Sequence, residues 1–157
     1  MEIAFTGTQA GMTNAQKAAF KKLLVELGVK TFHHGDCIGA DADAHSIAHE
    51  LGSIDIIIHP PSVNTKRAYC SSTKIMPPEE YLVRNRRMVN LSVGLIATPK
   101  VDYEVLRSGT WMTVRYAVKS YRPVWIIWPN GSVKKLAGKS FPSSHVQATM
   151  FRDKGGE

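Results

Sequence analysis

The sequence predicts an α/β protein with a doubly wound, mainly parallel sheet of about five or more strands and helices on both faces. Three observations predict it. Short apolar runs of strand length alternate with segments of helical periodicity. The run 53–59, Ser-Ile-Asp-Ile-Ile-Ile-His, is apolar enough for a strand buried on both faces. Glycines stand between strand ends and helix starts at Gly7, Gly11, Gly35, Gly39 and Gly109, where ligands bind in open parallel sheets.

The first strand is Glu2–Thr6, followed by the loop 7–11. A helix starts at Thr13, where Thr13 and Gln16 have capping-box spacing. Phe20, Leu23, Leu24 and Leu27 form its apolar face, and Gly28 ends it. The second strand is Lys30–His34, in which alternation sends one of His33 and His34 inward and the other outward. The loop 35–41 opens a helix that buries Ala44, Ile47, Ala48 and Leu51. The third strand is Ser53–His59, and Pro60–Pro78 is a long connection of the kind that is functional or mobile. Glu79–Leu91 is helical, Val93–Thr98 a fourth strand, Gly109–Tyr121 a helix and Pro123–Trp128 a fifth strand. After a turn at Asn130–Ser132, the tail offers an edge strand and a frayed end. The expectation is one domain over residues 1–157, with its core at about 3–129 and an extension at 130–157.

Composition narrows the function. The chain has 157 residues, enough to bury its own core without disulfides or structural metal. No apolar stretch approaches the ~20 residues of a membrane span, so no membrane partner is expected. Met1–Thr6 lacks a cationic leader, and Cys37 and Cys70 form no CxxC pair, so a cytoplasmic location with reduced thiols is expected. The net charge of +7 makes anionic partners plausible. Its distribution sharpens this: residues 1–65 carry four basic and seven acidic side chains, 66–115 nine and four, and 116–157 seven and two. The central surplus surrounds the RNR segment and Gly109, which favours a small anion over nucleic acid.

Candidate site residues follow from position. Asn85 lies in the middle of a stripe formed by Tyr81, Leu82, Met88 and Val89, with Arg84 and Arg86 on its flanks. A buried amide needs partners, either loop backbone or a ligand. The two guanidiniums suit phosphate recognition, whereas Arg87 falls on a solvated face. Asp36 follows the second strand, where a carboxylate accepts from ribose hydroxyls. Asp41 opens the second helix and serves as a cap or a ligand contact. Cys37 sits beside that helix start, where a thiol pKa can be lowered. His45 and His49 are an i, i+4 pair without an accompanying glutamate or cysteine ligand, and they read as solvated. No metal and no cofactor is therefore expected.

Together Gly7-Thr8-Gln9, the run GDCIGADADAH at Gly35–His45, RNRRMVNLS at Arg84–Ser92 and RSGTWMTVRYA at Arg107–Ala117 resemble the SLOG superfamily, which unites the Smf/DprA proteins with the LOG phosphoribohydrolases. The resemblance runs from about residue 3 to 129 and is closest to small single-domain members of the YspA/YpsA-like kind, with DprA-like motifs. It implies a modified Rossmann fold with a pocket for a nucleotide or other phosphorylated small molecule. Gly7, Thr8 and Gln9 would form the first loop of that pocket, and Gly39, Ala40 and Asp41 its second wall. Arg84 would meet a phosphate or ribose, and Gly109 with Thr110 would hold phosphate at a helix N-terminus. It also implies a homodimer or higher homo-oligomer, to which Val124–Trp128 is apolar enough to contribute. Thr113 stands where LOG enzymes carry a catalytic glutamate, and threonine cannot supply that charge. Three readings stay open: a nucleotide-binding sensor, carrier or sink; an N-glycosidic hydrolase of nucleoside monophosphates; and a DprA-like binder of single-stranded DNA.

Overall fold

Residues 1–137 are described by a computed structural model. The apolar runs of the sequence become the strands of one seven-stranded sheet: β1 (Glu2–Gly7), β2 (Thr31–His34), β3 (Asp55–Ile58), β4 (Lys74–Ile75), β5 (Gly94–Thr98), β6 (Val124–Ile127) and β7 (Val133–Leu136). Their order is β4-β3-β2-β1-β5-β6-β7. All neighbours are parallel except β6 and β7. The chain builds outward from β1 in one direction, returns, and continues from β5 in the other. This reversal leaves a crevice beyond the carboxyl ends of β1 and β5.

Helices cover both faces. On one, α1 (Asn14–Glu26) and α2 (Ala40–Leu51) pack over Phe5, Phe32 and Ile58. On the other, α3 (Tyr81–Leu91) and α4 (Gly109–Lys119) pack over Ala4, Leu95 and Ile126. The first core centres on Phe5, Phe20 and Phe32, whose ring centroids lie 5.4–5.8 Å apart in tilted and edge-on pairs. The capping box forms: Thr13 accepts from the Gln16 N–H, and Gln16 accepts from the Thr13 N–H. Buried Gln16 also donates to the carbonyls of Pro99 (3.0 Å) and Ile127 (2.9 Å), which ties α1 to the ends of β5 and β6.

Four expectations change. The connection 60–78 contains β4, whereas the edge strand that the tail offers after the turn is β7, residues 133–136, so the sheet extends past 129. The rest of the expected extension, 138–157, lies outside the described residues. His33 and His34 are both buried, because β2 is an inner strand and neither face is outward. In α3 the buried side chains are Arg84, Asn85, Met88 and Val89, whereas Tyr81 and Leu82 are exposed. Its first turn overhangs the crevice, so the apolar stripe holds only in its second half. Finally, Val124–Ile127 are buried by this chain's own helices and flanking strands, so they present no surface to a second copy. The large apolar side chains left exposed on α3 and α4 include Leu82, Val83 and Met112. No helix among the described residues is long and apolar enough to cross a membrane.

Phe20→Ala removes the ring at the centre of the aromatic trio, and we expect it to lower stability by about 3–5 kcal/mol in urea unfolding. Val25→Ala, on the exposed face of the same helix, should stay within about 0.5 kcal/mol.

Candidate functional site

A cavity of about 430 Å³ occupies the crevice between β1 and β5. This is the size of small-molecule sites. Its floor is the end of β1 and the loop that follows, Thr6 to Gln9. That loop is held closely from behind. The Thr8 carbonyl accepts from the N–H groups of Gly11 (3.2 Å) and Ala40 (3.0 Å), and the Thr8 N–H donates to the Thr98 carbonyl (3.2 Å). A Cβ on Gly7 would lie 2.4 Å from Thr98 Oγ1 and 2.5 Å from Ala40 Cβ, and one on Gly39 would lie 2.2 Å from the Gln9 carbonyl oxygen. Gly39 also has φ +90°, which no side chain favours. Both positions require glycine, because helix, loop and strand meet there without space.

The rear wall is Arg84. Its side chain is 2% exposed and is held on every side. Nη1 donates to the carbonyls of Gly35 (2.6 Å) and His59 (3.0 Å), Nε donates to Asn85 Oδ1 (2.7 Å), and the guanidinium carbon lies 4.5 Å from the centre of the Tyr81 ring. The expected phosphate clamp is thus an internal strut, and Asn85 braces it from the adjacent position. Nη2 points toward Cys37 Sγ, 3.8 Å away.

Asp41 is the cavity's acidic group. Its Oδ2 accepts from the N–H groups of Gly35 (3.2 Å) and Cys37 (3.1 Å). Burial pushes its carboxyl up to about 6, against the opposing pull of Arg84 and the two N–H groups. Cys37 also lines the cavity, but its thiol is raised, first by burial and then by the Asp41 charge. The helix start does not lower it.

The opposite wall is the N-terminus of α4. Ser108 caps it by accepting from the Trp111 N–H (3.3 Å), and no acidic residue occupies its first turn. The first N–H groups of a helix lack intrahelical acceptors and carry partial positive charge. Segment 99–108 adds Lys100, Val101, Tyr103 and Val105 over the mouth. It is anchored by Arg115, which donates to Glu104 (2.7 Å) and to the Leu106 carbonyl (2.6 Å).

Of the residues picked from sequence, Gly7, Thr8, Gln9, Asp41, Arg84, Asn85, Gly109 and Thr110 line this cavity. Gly39 and Ala40 support the first loop from behind and do not form a wall. Gly35 is capped by the Arg84 guanidinium. Asp36 is turned away: its carboxylate accepts from Arg67 Nε (2.9 Å) and the Cys70 N–H (2.9 Å). Arg86 is exposed, with its guanidinium 5.3 Å from the Tyr116 ring centre, so the stripe argument fails for it. Arg86 and Thr113 line a separate groove of about 80 Å³, and the Thr113 hydroxyl donates to the Gly109 carbonyl (3.0 Å). Lys100 and Val101 were missed. The only signal was the length of the unpatterned segment after the fourth strand.

The molybdenum cofactor binding protein from the phototrophic bacterium Rippkaea orientalis has a similar structure, with a TM-score of 0.61 and 18% identity, covering 98% of this chain and 83% of that one. At that identity the likeness concerns the fold alone. No family model and no curated protein matches the sequence.

Folded Asp41 holds its proton to about pH 6, above the 3.8 of an unperturbed aspartate. The folded state therefore binds more protons than the unfolded one between these values. Relative to Asp41→Asn, the parent chain should gain about 1.4 kcal/mol of stability per pH unit as pH falls through that window. Urea unfolding of both proteins across it measures the difference, and parallel profiles would contradict the shift.

Proposed function

We propose that this chain is a SLOG-like module that binds a nucleotide or nucleotide-derived ligand in the β1/β5 crevice, with the ligand's phosphate at the N-terminus of α4. The observation that carries this reading is Gly109. A Cβ there would meet nothing of the protein nearer than the Tyr81 ring, 3.7 Å away, and its φ is not in the left-handed region. The fold does not demand glycine at this position, so the missing side chain leaves an anion access to the helix N–H groups. Lys100 supplies a positive charge, and Tyr81, Tyr103 and Trp111 supply aromatic surface in the same cavity. That a cofactor-binding protein shares the fold agrees with a small-molecule occupant.

The sequence's other partners fit less well. Of the four aromatic residues near the arginines in sequence, Trp111 is buried and the Tyr116 hydroxyl donates to Asn90 (2.8 Å), which leaves only the exposed Tyr69 and Tyr103 for the stacking that single-stranded DNA needs. A homo-oligomer would meet through Leu82, Val83 and Met112 in this reading.

Thermal shift against a panel of nucleoside mono- and diphosphates, with their dephosphorylated nucleosides as controls, tests the proposal. Phosphorylated members should raise the melting temperature saturably and nucleosides should not. Gly109→Ala should leave stability unchanged or raise it by up to about 1 kcal/mol, since alanine favours helix. The same variant should lose the ligand-dependent shift. An undiminished shift would remove the phosphate from α4.

Asp41 favours a second reading, the hydrolase. A cavity carboxyl held near pH 6 is suited to donate a proton to a departing base, a different role from that of the charged glutamate whose place Thr113 takes. Nucleoside monophosphates incubated with the protein would then release free base, and Asp41→Asn would abolish the release. Saturable binding without any released base would leave the module as a binder only.

A further inference from the structure

On the α2 side of the sheet, outside the cavity, three side chains from three parts of the chain converge. His34 ends β2, His45 lies in α2, and Cys70 comes from the segment before β4. One ring nitrogen of His34, one of His45 and Cys70 Sγ all lie within 4.8 Å of one another. The two histidines are in direct contact, Nε2 to Nδ1, at 2.9 Å.

This cluster is positioned by one strained residue. Asp36 is fully buried and has φ +57°, unusual for a residue with a side chain. Its N–H donates to His34 Nδ1 (3.0 Å), while its carboxylate accepts the Cys70 N–H (2.9 Å). Asp36 thus ties the His34 ring and the Cys70 backbone to one loop from outside the cluster. The cluster is also reachable. His45 is half-buried, and the exposed His49 ring lies parallel to it at 6.2 Å.

We infer that His34, His45 and Cys70 form a three-ligand site for Zn²⁺ or a chemically similar divalent transition-metal ion, with water in the fourth position. Two imidazole nitrogens and one sulfur are a borderline-soft donor set, which suits such ions and not Mg²⁺ or Ca²⁺. The inference is independent of the nucleotide reading. It also reverses the sequence expectation, which paired His45 with His49 and found no cysteine near them.

The proton balance is definite. With the Asp36 N–H facing Nδ1, the neutral His34 ring carries its proton on Nε2 and donates it to His45. Coordination moves that proton to Nδ1 and gives up the Asp36 hydrogen bond. The 2.9 Å nitrogen separation opens by about half an ångström to admit two Zn–N bonds of about 2.0–2.1 Å. Cys70 binds as thiolate and releases its proton, so one proton leaves per ion.

The test is a Co²⁺ titration of the full chain after treatment with a chelator. We expect one ion per chain, a sulfur-to-cobalt charge-transfer absorption with tetrahedral ligand-field bands, and their displacement by Zn²⁺ with release of one proton. Cys70→Ser should lose the charge-transfer absorption, His45→Ala should lose stoichiometric binding, and Cys37→Ser should retain both. The parent spectrum decides the matter even if a variant fails to fold. Absence of the charge-transfer absorption at saturating Co²⁺, or its survival in Cys70→Ser, overturns the inference. So does equal binding by His45→Ala, which would mean adventitious surface coordination only.

Discussion

The buried guanidinium of Arg84 is the constraint on which the site depends. A cation with almost no exposure is tolerated only if its N–H groups find acceptors and its charge a counterpart. The acceptors are the carbonyls of Gly35 and His59, beyond the ends of β2 and β3, and the counterpart is Asp41. Meeting these demands draws the first half of α3 across the strand ends. This sets the rear wall of the cavity, brings Tyr81 over the guanidinium and leaves Leu82 at the surface. Gly35 follows from the same contact, since a Cβ there would lie 2.4 Å from Arg84 Nη1.

The loop after β2 divides its chemistry between two sides. Asp36 in the loop and Asp41 in the first turn of α2 lie five positions apart, yet they serve different surroundings. The positive φ at Asp36 turns its side chain toward Arg67 and Cys70, whereas Asp41, at the start of α2, faces the crevice. The histidines of β2 divide likewise. His33 pairs with Glu2 and with His59 (2.8 Å), and His34 pairs with His45 on the opposite face. Burial holds His34 down to about 3 and His59 down to about 4, so both rings are neutral near pH 7.

The basic surplus has a more ordinary distribution than its amount suggests. Arg87 pairs with Glu79, Arg115 with Glu104, and Arg122 donates to the carbonyls of Ser92, Ser120 and Asn90. These side chains hold loops and helix ends. Among the described residues, the basic side chains lining the cavity are Arg84 and Lys100. An anion in the crevice would therefore meet a local field built from one strut, one lysine and a helix terminus.

The sequence by itself determined the class of fold and the edge of the sheet where a site belongs. Strand runs, helical periods and the Thr13–Gln16 box are local patterns, and local patterns survive in the folded chain. The glycine loops were legible for the same reason. Which side chains enter the crevice was decided only by tertiary structure. Arg84 and Arg86 are indistinguishable by spacing, but only Arg84 meets the carbonyls of two strand ends. Asp36 and Asp41 look alike until a backbone dihedral turns one away. Cys70 lies 25 positions beyond His45, and nothing local announces that the segment returns to α2. Hydrogen-bond acceptors supplied by distant strands, and chain reversals between them, have no periodic signature in the sequence.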